Sequence, residues 1–329
     1  MSAAPGRVAA ERAVRASPMR RVAAFLRGPG PFVAIAALFV LAAVFVEGFA
    51  TVPNLIAVVQ ASAITGIAAI GTATITISGK FISLSIEQQA VAAAFCFSAA
   101  VLAGWPLWLA VAVTLALAVA LGFVQGYLVS RGLNPIVTTL AFGSALFGIV
   151  VLLADNRTLT LRDNPIGWLG GGTTLGIPNQ ALVFLAVLAA GTFFLARTRL
   201  GRQLVLTGAN ARAADLIGIP TRRIIVLSFI VAAVASALVA MLVVGQVSQA
   251  KSDMFRGLTI DVVAAILVGG IAIQGGEGQL WRAGLGALLL TMLGNVMLLL
   301  GIDAGMRELL KGLLAAAVLL GVTTMRGRS

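Results

Sequence analysis

The sequence predicts an all-α integral membrane protein with about ten transmembrane helices. Of its 329 residues, 60% are hydrophobic and only 10% are charged, and the mean hydropathy is +1.06. Such a composition is typical of chains that lie mostly in a bilayer, where each crossing helix needs about 20 apolar residues. Apolar runs near that length give predicted spans at residues 32–47, 55–77, 88–104, 107–129, 136–154, 180–196, 224–246, 259–274, 283–301 and 307–325.

The basic residues predict the orientation of these spans. The net charge is +12, and 17 of the 23 lysines and arginines fall in cytoplasmic segments if the amino terminus lies inside. Cytoplasmic loops of membrane proteins carry such an excess. Both termini are therefore predicted to be cytoplasmic. Nucleic-acid binding is disfavoured, because the basic residues stand at the ends of apolar runs and do not form one basic face.

The chain divides into a tail, one membrane domain and a short end. Residues 1–30 are rich in arginine, alanine, proline and glycine, which predicts a cytoplasmic basic tail more readily than a cleaved signal peptide. Residues 31–325 form the predicted transmembrane domain. Residues 326–329 are the predicted cytoplasmic carboxyl terminus.

The segment 197–223 is a predicted cytoplasmic loop with six arginines and one acid, Asp215. Asn210 is a suitable N-cap for a short helix, and Gly218 is suited to end it. Pro220 prevents its continuation. Composition alone leaves three interpretations open: a lipid-headgroup anchor, a docking surface for a protein, and an ordinary arginine-rich loop.

Polar side chains inside the predicted spans indicate helix faces that avoid lipid, because amides and hydroxyls are costly in hydrocarbon. The second span is the most polar of them. Hydroxyl and amide groups there could hydrogen-bond a hydroxyl-rich solute. The predicted pore-lining residues are Gln60, Thr65, Thr72, Gln125 and Asn295.

Between the second and third spans the chain reads SGKFISLSIEQQ, from Ser78 to Gln89. This segment is too polar for hydrocarbon unless protein covers it, so it is expected to line a cavity or the inner surface.

Several kinds of chemistry are disfavoured. The chain has no histidine and a single cysteine, Cys96, so no disulfide forms within it and no metal site of the usual His/Cys type is expected. No P-loop motif for ATP occurs, and no segment between spans is long enough for a soluble catalytic domain. Any use of ATP must therefore belong to another chain.

Three ordered motifs carry a resemblance to a known family. The first runs from Gly257 to Leu280 and combines Asp261, an apolar block and a glycine-rich turn, and the second runs from Asn134 to Leu140. The third has the family's G-x-N-x-x-A-A-x-x-x-G-I pattern at Gly208, Asn210, Ala213, Ala214, Gly218 and Ile219. Over residues 32 to 325 the chain resembles the permease subunit of ribose-type sugar importers of the bacterial ABC transporter superfamily.

The resemblance implies a transport subunit without enzymatic activity in the bacterial inner membrane. Two permease copies, identical or related, would form a pore for a monosaccharide or similar solute. A periplasmic binding protein would deliver the solute, and cytoplasmic ATPase subunits would carry ATP and Mg²⁺. The six residues of the third motif would then form the ATPase-coupling helix. An ion-coupled secondary transporter is the alternative, but its expected intramembrane acids are scarce.

The resemblance also bears on Asp261 and on the segment that follows the second span. Asp261 is a candidate gate residue or binding-protein contact, or else pairs with Arg256 or Lys251 at the interface. The family usually carries G-G-x-D-L-S-V-G after the second span, whereas this chain has Ser83 in place of the acid and Glu87 in place of the last glycine. Either a subgroup with altered substrate or coupling, or one half of a heterodimer, would explain this departure.

Overall fold

The computed structural model describes residues 30–155, 157–272 and 274–326. A helix stands at every predicted span within them. These helices are α1 (Gly30–Phe45), α2 (Val52–Ile77), α3 (Ile86–Leu102), α4 (Leu107–Ser130), α5 (Pro135–Leu153), α7 (Asn179–Arg197), α10 (Thr221–Val247), α11 (Leu258–Val268), α12 (Leu280–Leu299) and α13 (Ala304–Arg326). Residues 1–29 of the predicted tail and residues 327–329 lie outside the described residues.

The other elements lie between these helices. A single turn, α6 (Gly167–Gly170), and the strands β1 (Leu159–Thr160), β2 (Thr173–Thr174) and β3 (Ile177–Pro178) form the connection from α5 to α7. Strands β2 and β3 form a hairpin, and β1 pairs antiparallel with β4 (Gln249–Ala250) after α10. Helices α8 (Arg199–Ala209) and α9 (Ala211–Leu216) lie between α7 and α10.

Six of the described helices are long and apolar enough to cross a membrane, namely α2, α4, α5, α7, α10 and α12. Helices α1, α3 and α11 are apolar but shorter. Helix α11 ends at Val268, six residues before the predicted end of its span, and is followed by Gly269 and by Gly270 at a φ of +75°. A left-handed glycine commonly terminates a helix. The chain is thus a helical multi-pass protein, and ten crossings remain a prediction.

Helices α2 and α10 form the centre of the bundle. Helix α10 packs against α2, α3 and α4, while α2 also packs against α12 and α7. Gly122 and Gly126 of α4 face α10 so closely that a Cβ at either would lie 2.7 Å from the Cα of Ile230 or Val226. This spacing of small residues allows two membrane helices to approach at backbone distance.

Local sequence explains where some of the helices begin. The side chain of Asn134 accepts hydrogen bonds from the amides of Ile136 (2.9 Å) and Val137 (3.4 Å), and Pro135 occupies the first helical position of α5. Asparagine at the N-cap and proline after it are both typical of helix starts.

Candidate functional site

The loop 197–223 folds as two capped helices. Thr198 caps α8 by accepting a hydrogen bond from the amide of Gly201 at 3.0 Å, and Asn210 caps α9 by accepting one from Ala213 at 3.1 Å. Gly218 then adopts a φ of +82°. The Thr221 hydroxyl donates a hydrogen bond of 2.6 Å to Asp215, which joins the end of α9 to the start of α10. The predicted helix, its cap and its terminating glycine are therefore present.

Helix α9 has a buried side and an exposed tip. Ala214 (2% exposed) and Ile219 (8%) pack inward, whereas Ala213 is exposed. Of the predicted alanine pair, only Ala213 is available to a partner. The tip consists of Leu216, 89% exposed, and Ile217, 70% exposed. Sequence reasoning missed this pair, although two adjacent apolar residues in a polar loop were a usable signal.

Gly208 lies in a junction of backbone segments. A Cβ there would overlap the carbonyl oxygen of Ile77 at the end of α2 and approach the amide of Gly276. Gly79 and Gly275 also meet at backbone distance, with φ values of +80° and +86°. We call these residues, with Ala209, the glycine junction. It connects α8, the end of α2 and the loop before α12, so the α8–α9 hairpin, residues 199–216, contacts the end of α2 through backbone atoms.

A cavity of about 380 Å³ lies between α2, α11, α12 and α13. Two of the predicted pore-lining residues, Thr65 and Asn295, line it together with Thr291. Asn295 and Asn54 donate reciprocal side-chain hydrogen bonds at 2.7 and 3.0 Å, which fix both amides. The cavity is of small-solute size, and its lining also includes the charged residues Asp261, Arg307, Glu308 and Lys311.

The other three predicted pore residues do not line this cavity. Gln60 accepts a hydrogen bond of 3.5 Å from Gln246. Thr72 is fully buried and donates to the carbonyl of Ala68 within α2, at 2.8 Å.

Gln125 belongs to a buried network between helices. It donates to Ser85 at 2.6 Å and accepts from Gln89 at 2.9 Å. Thr72 and Gln125 therefore have their hydrogen bonds satisfied inside the subunit.

Asp261 forms an ion pair at the same cavity. Its Oδ1 lies 2.9 Å from Nζ of Lys311, and the side chains are 26% and 15% exposed. Lys311 also lies 3.4 Å from Glu308. The partners considered from the sequence, Arg256 and Lys251, were wrong, because α13 brings Lys311 to the first turn of α11.

Glu87, which replaces the last glycine of the family motif, has a structural role. The carboxylate of Glu87 accepts a hydrogen bond of 3.1 Å from the amide of Gly257, and its own amide donates to Thr259 at 3.3 Å. Gly257 precedes α11 and has a φ of +85°. Glu87 therefore ties the first turn of α3 to the first turn of α11, where a negative charge is favourable.

Ser83 lies within the irregular segment that joins α2 to α3. It is 2% exposed, and its hydroxyl lies 3.0 Å from that of Ser85. The amide of Leu84 donates to the Thr139 hydroxyl at 3.2 Å. Most of this polar segment is covered by protein, as expected from its composition.

Known proteins are similar in sequence to this chain over most of its length. Residues 54–323 match the family described as "Branched-chain amino acid transport system / permease component". The protein named "Probable ABC transporter permease protein YphD" of Escherichia coli K12 is 31% identical over 304 residues, which cover 91% of this chain and 90% of YphD. The ribose import permease protein RbsC of the same strain is 28% identical over 304 residues, covering 91% and 94%. The L-arabinose transport system permease protein AraH is 27% identical over 292 residues, covering 88% and 89%.

One solved structure has a similar fold. A structure described as "An inward-facing conformation of a putative metal-chelate type ABC transporter" aligns with a TM-score of 0.52 and 20% identity, over 91% of this chain and 99% of that one. At this identity the likeness concerns the fold alone.

Proposed function

Because the chain belongs to the family of branched-chain amino acid transport system permease components, we propose that it is the permease subunit of an ABC importer for a monosaccharide or related small hydroxylated solute. A permease of this class is a transport component and not an enzyme. The relatives described above are ABC permeases, so the ion-coupled alternative has no support among them.

The substrate class rests on one observation. RbsC and AraH, whose names specify ribose and L-arabinose, align with nearly the whole chain. The cavity between α2 and α12 has room for such a solute and is lined by Thr65, Thr291 and Asn295. Asn295 would have to exchange its bonds with Asn54 for bonds with the solute. Hydrogen-bonding groups of this kind replace the water that a sugar loses on entry. Gln60, Thr72 and Gln125 remain proposed pore residues for conformations in which the helices separate.

The ATPase partner would dock on α9. Leu216 and Ile217 form an apolar tip of the kind that fills a hydrophobic pocket in a protein interface. Asn210 and Gly218 shape the helix, Ala213 lies on its exposed side, and Ala214 and Ile219 anchor it. ATP and Mg²⁺ would bind the ATPase chain, and the glycine junction would transmit its closure to α2 and α12.

The proposed membrane arrangement follows the charge distribution. The domain would comprise residues 31–325 and cross a bacterial inner membrane ten times, with the tail and carboxyl terminus in the cytoplasm. The segment 197–223 would then lie inside. A second permease copy, identical or related, would complete the pore.

A periplasmic binding protein would meet the opposite end of the bundle. Asp261, paired with Lys311, would act there as a gate residue that separates the cavity from the outside or contacts the binding protein.

Reconstitution tests this proposal. Proteoliposomes that contain the chain, its ATPase and its binding protein should take up radiolabelled sugar only with ATP inside and only when all three components are present. Uptake by the chain alone, driven by an ion gradient, would overturn the assignment.

A second experiment addresses the solute. In a thermal-shift screen, at least one pentose, hexose or polyol should raise the melting temperature of the binding protein, whereas leucine, isoleucine and valine should not. Stabilisation by the amino acids alone would contradict the sugar assignment and leave the importer assignment intact.

A further inference from the structure

A groove of about 580 Å³ lies between α4 and α10, at the end of the bundle where the α8–α9 hairpin joins α10. Its mouth carries three arginines: Arg131 at the end of α4, and Arg222 and Arg223 in the first turn of α10. All three are exposed, and no aspartate or glutamate lines the groove. The mouth therefore concentrates positive charge.

The guanidinium groups retain unused donors. Arg131 donates to the hydroxyl of Tyr127 at 2.9 and 3.1 Å and lies 5.2 Å from the centre of its ring. A guanidinium has five N–H donors, so others remain. The side chains of Arg222 and Arg223 make no hydrogen bond or ion pair with any other residue that the structure describes.

The groove becomes apolar away from its mouth. Phe123 is 51% exposed and stacks on Tyr127 with ring centroids 6.1 Å apart, and Ile230 forms the opposite wall. The tight crossing at Gly122 and Gly126 produces this shape. It brings the two backbones together, so that the rings of Phe123 and Tyr127 flank the contact instead of filling it.

We propose that this groove binds one anionic phospholipid, with its phosphate on the three arginines and an acyl chain along Phe123 and Ile230. Arginine pairs with phosphate through charge-assisted hydrogen bonds, and basic pockets between membrane helices are typical sites for anionic headgroups. A soluble phosphate compound would use the mouth but not the apolar wall. The site is separate from the tip of α9, and a lipid bound there would tie the start of α10, and thus the coupling hairpin, to the bilayer surface.

Native mass spectrometry of the assembled transporter, titrated with phosphatidylglycerol or phosphatidylcholine, tests the site. The groove variant carries Arg131→Gln, Arg222→Gln and Arg223→Gln. The control carries Arg197→Gln, Arg199→Gln and Arg202→Gln, which remove the same charge from exposed residues outside the groove. Each arginine is expected to contribute roughly fivefold to the affinity for phosphatidylglycerol. The groove variant should therefore bind this lipid about a hundredfold more weakly. The control should change far less.

Two further measurements separate the possible occupants. Inorganic phosphate at a large excess over lipid should not displace phosphatidylglycerol, and Ile230→Asp should weaken lipid binding while all three arginines remain. Equal binding of both lipids, equal losses in the groove and control variants, or full displacement by inorganic phosphate would overturn the proposal. So would a change in the permease oligomer in the groove variant without loss of lipid, since a second protein copy would then cover the groove.

Discussion

The backbone amide of Gly276 donates a hydrogen bond of 3.0 Å to the carbonyl of Ile77, the last residue of α2. Gly208 packs on the same carbonyl. The hairpin proposed to receive the ATPase therefore contacts the end of a central helix directly, through backbone atoms. Backbone contacts of this kind leave little room for side chains to absorb a displacement, which favours the transmission of movement.

The glycine junction should not tolerate a side chain at Gly208. In Gly208→Ala the new methyl would overlap the Ile77 carbonyl, so we expect a loss of about 1–3 kcal/mol in stability from overpacking and weaker coupling of ATP hydrolysis to transport. Thermal unfolding in detergent and ATP consumed per solute transported measure the two effects. Gly148→Ala is the control, because a Cβ at that position would meet no atom within 4 Å outside its chain neighbours and the backbone of its own helix. Equal behaviour of the two variants would contradict the role of the junction.

The tip of α9 should dominate ATPase binding. Leu216→Asp and Ile217→Asp each place a charge on the exposed apolar tip, and we expect the ATPase to dissociate roughly thirtyfold more readily, as for an interface hot spot worth about 2 kcal/mol. Pull-down of the ATPase by the purified permease measures this. Leu175→Asp provides the control at a residue that is 97% exposed in the β2–β3 hairpin. Retention of the ATPase by both tip variants would rule out docking on this surface.

The ion pair of Asp261 and Lys311 should show coupling. Lys311→Met leaves the largely buried carboxylate of Asp261 without its partner. We therefore expect the free energy of unfolding to fall by about 1–3 kcal/mol, which is less than for a fully buried pair. The double variant Asp261→Asn/Lys311→Met should recover part of that loss in a double-mutant cycle. Arg157→Gln breaks an exposed pair with Asp155 (77% and 75% exposed) and should have almost no effect. Strict additivity of the single changes would show that the pair does not stabilise the fold.

Glu87 should stabilise the start of α11. Glu87→Ala removes the acceptor for the Gly257 amide, and we expect the free energy of unfolding to fall by about 1–2 kcal/mol. Glu87→Gln keeps an acceptor oxygen and should lose less. Differential scanning fluorimetry measures the melting temperatures of both variants, and that of Glu87→Ala should be the lower. An unchanged melting temperature for Glu87→Ala would contradict a stabilising role for Glu87.

Local structure that depends on neighbouring residues could be predicted from the sequence. Asn210 was predicted as an N-cap and bonds to the amide of Ala213, three residues away, and Gly218 ends the same helix by its own dihedral angle. The apolar runs likewise predicted ten helices, because bilayer solvation acts on each segment separately.

Contacts between distant segments could not be predicted from the sequence. The sequence offered Arg256 and Lys251 as possible ion-pair partners of Asp261, but the fold supplied Lys311 from another helix. It also gave Glu87 no role, since nothing in the local pattern links that residue to Gly257, 170 positions later. Pairings of this kind depend on how helices pack, and hydrophobic periodicity carries no information about which helices become neighbours.

The sequence by itself determined that this chain is a helical membrane protein, which family it resembles, and where its polar hairpin begins and ends. Only the tertiary structure decided which polar groups face a cavity, which are satisfied inside the subunit, and that glycines from three segments meet beneath the hairpin. The physical reason is that membrane insertion and helix capping act over a few residues, whereas cavities, ion pairs and backbone junctions exist only after the helices have packed.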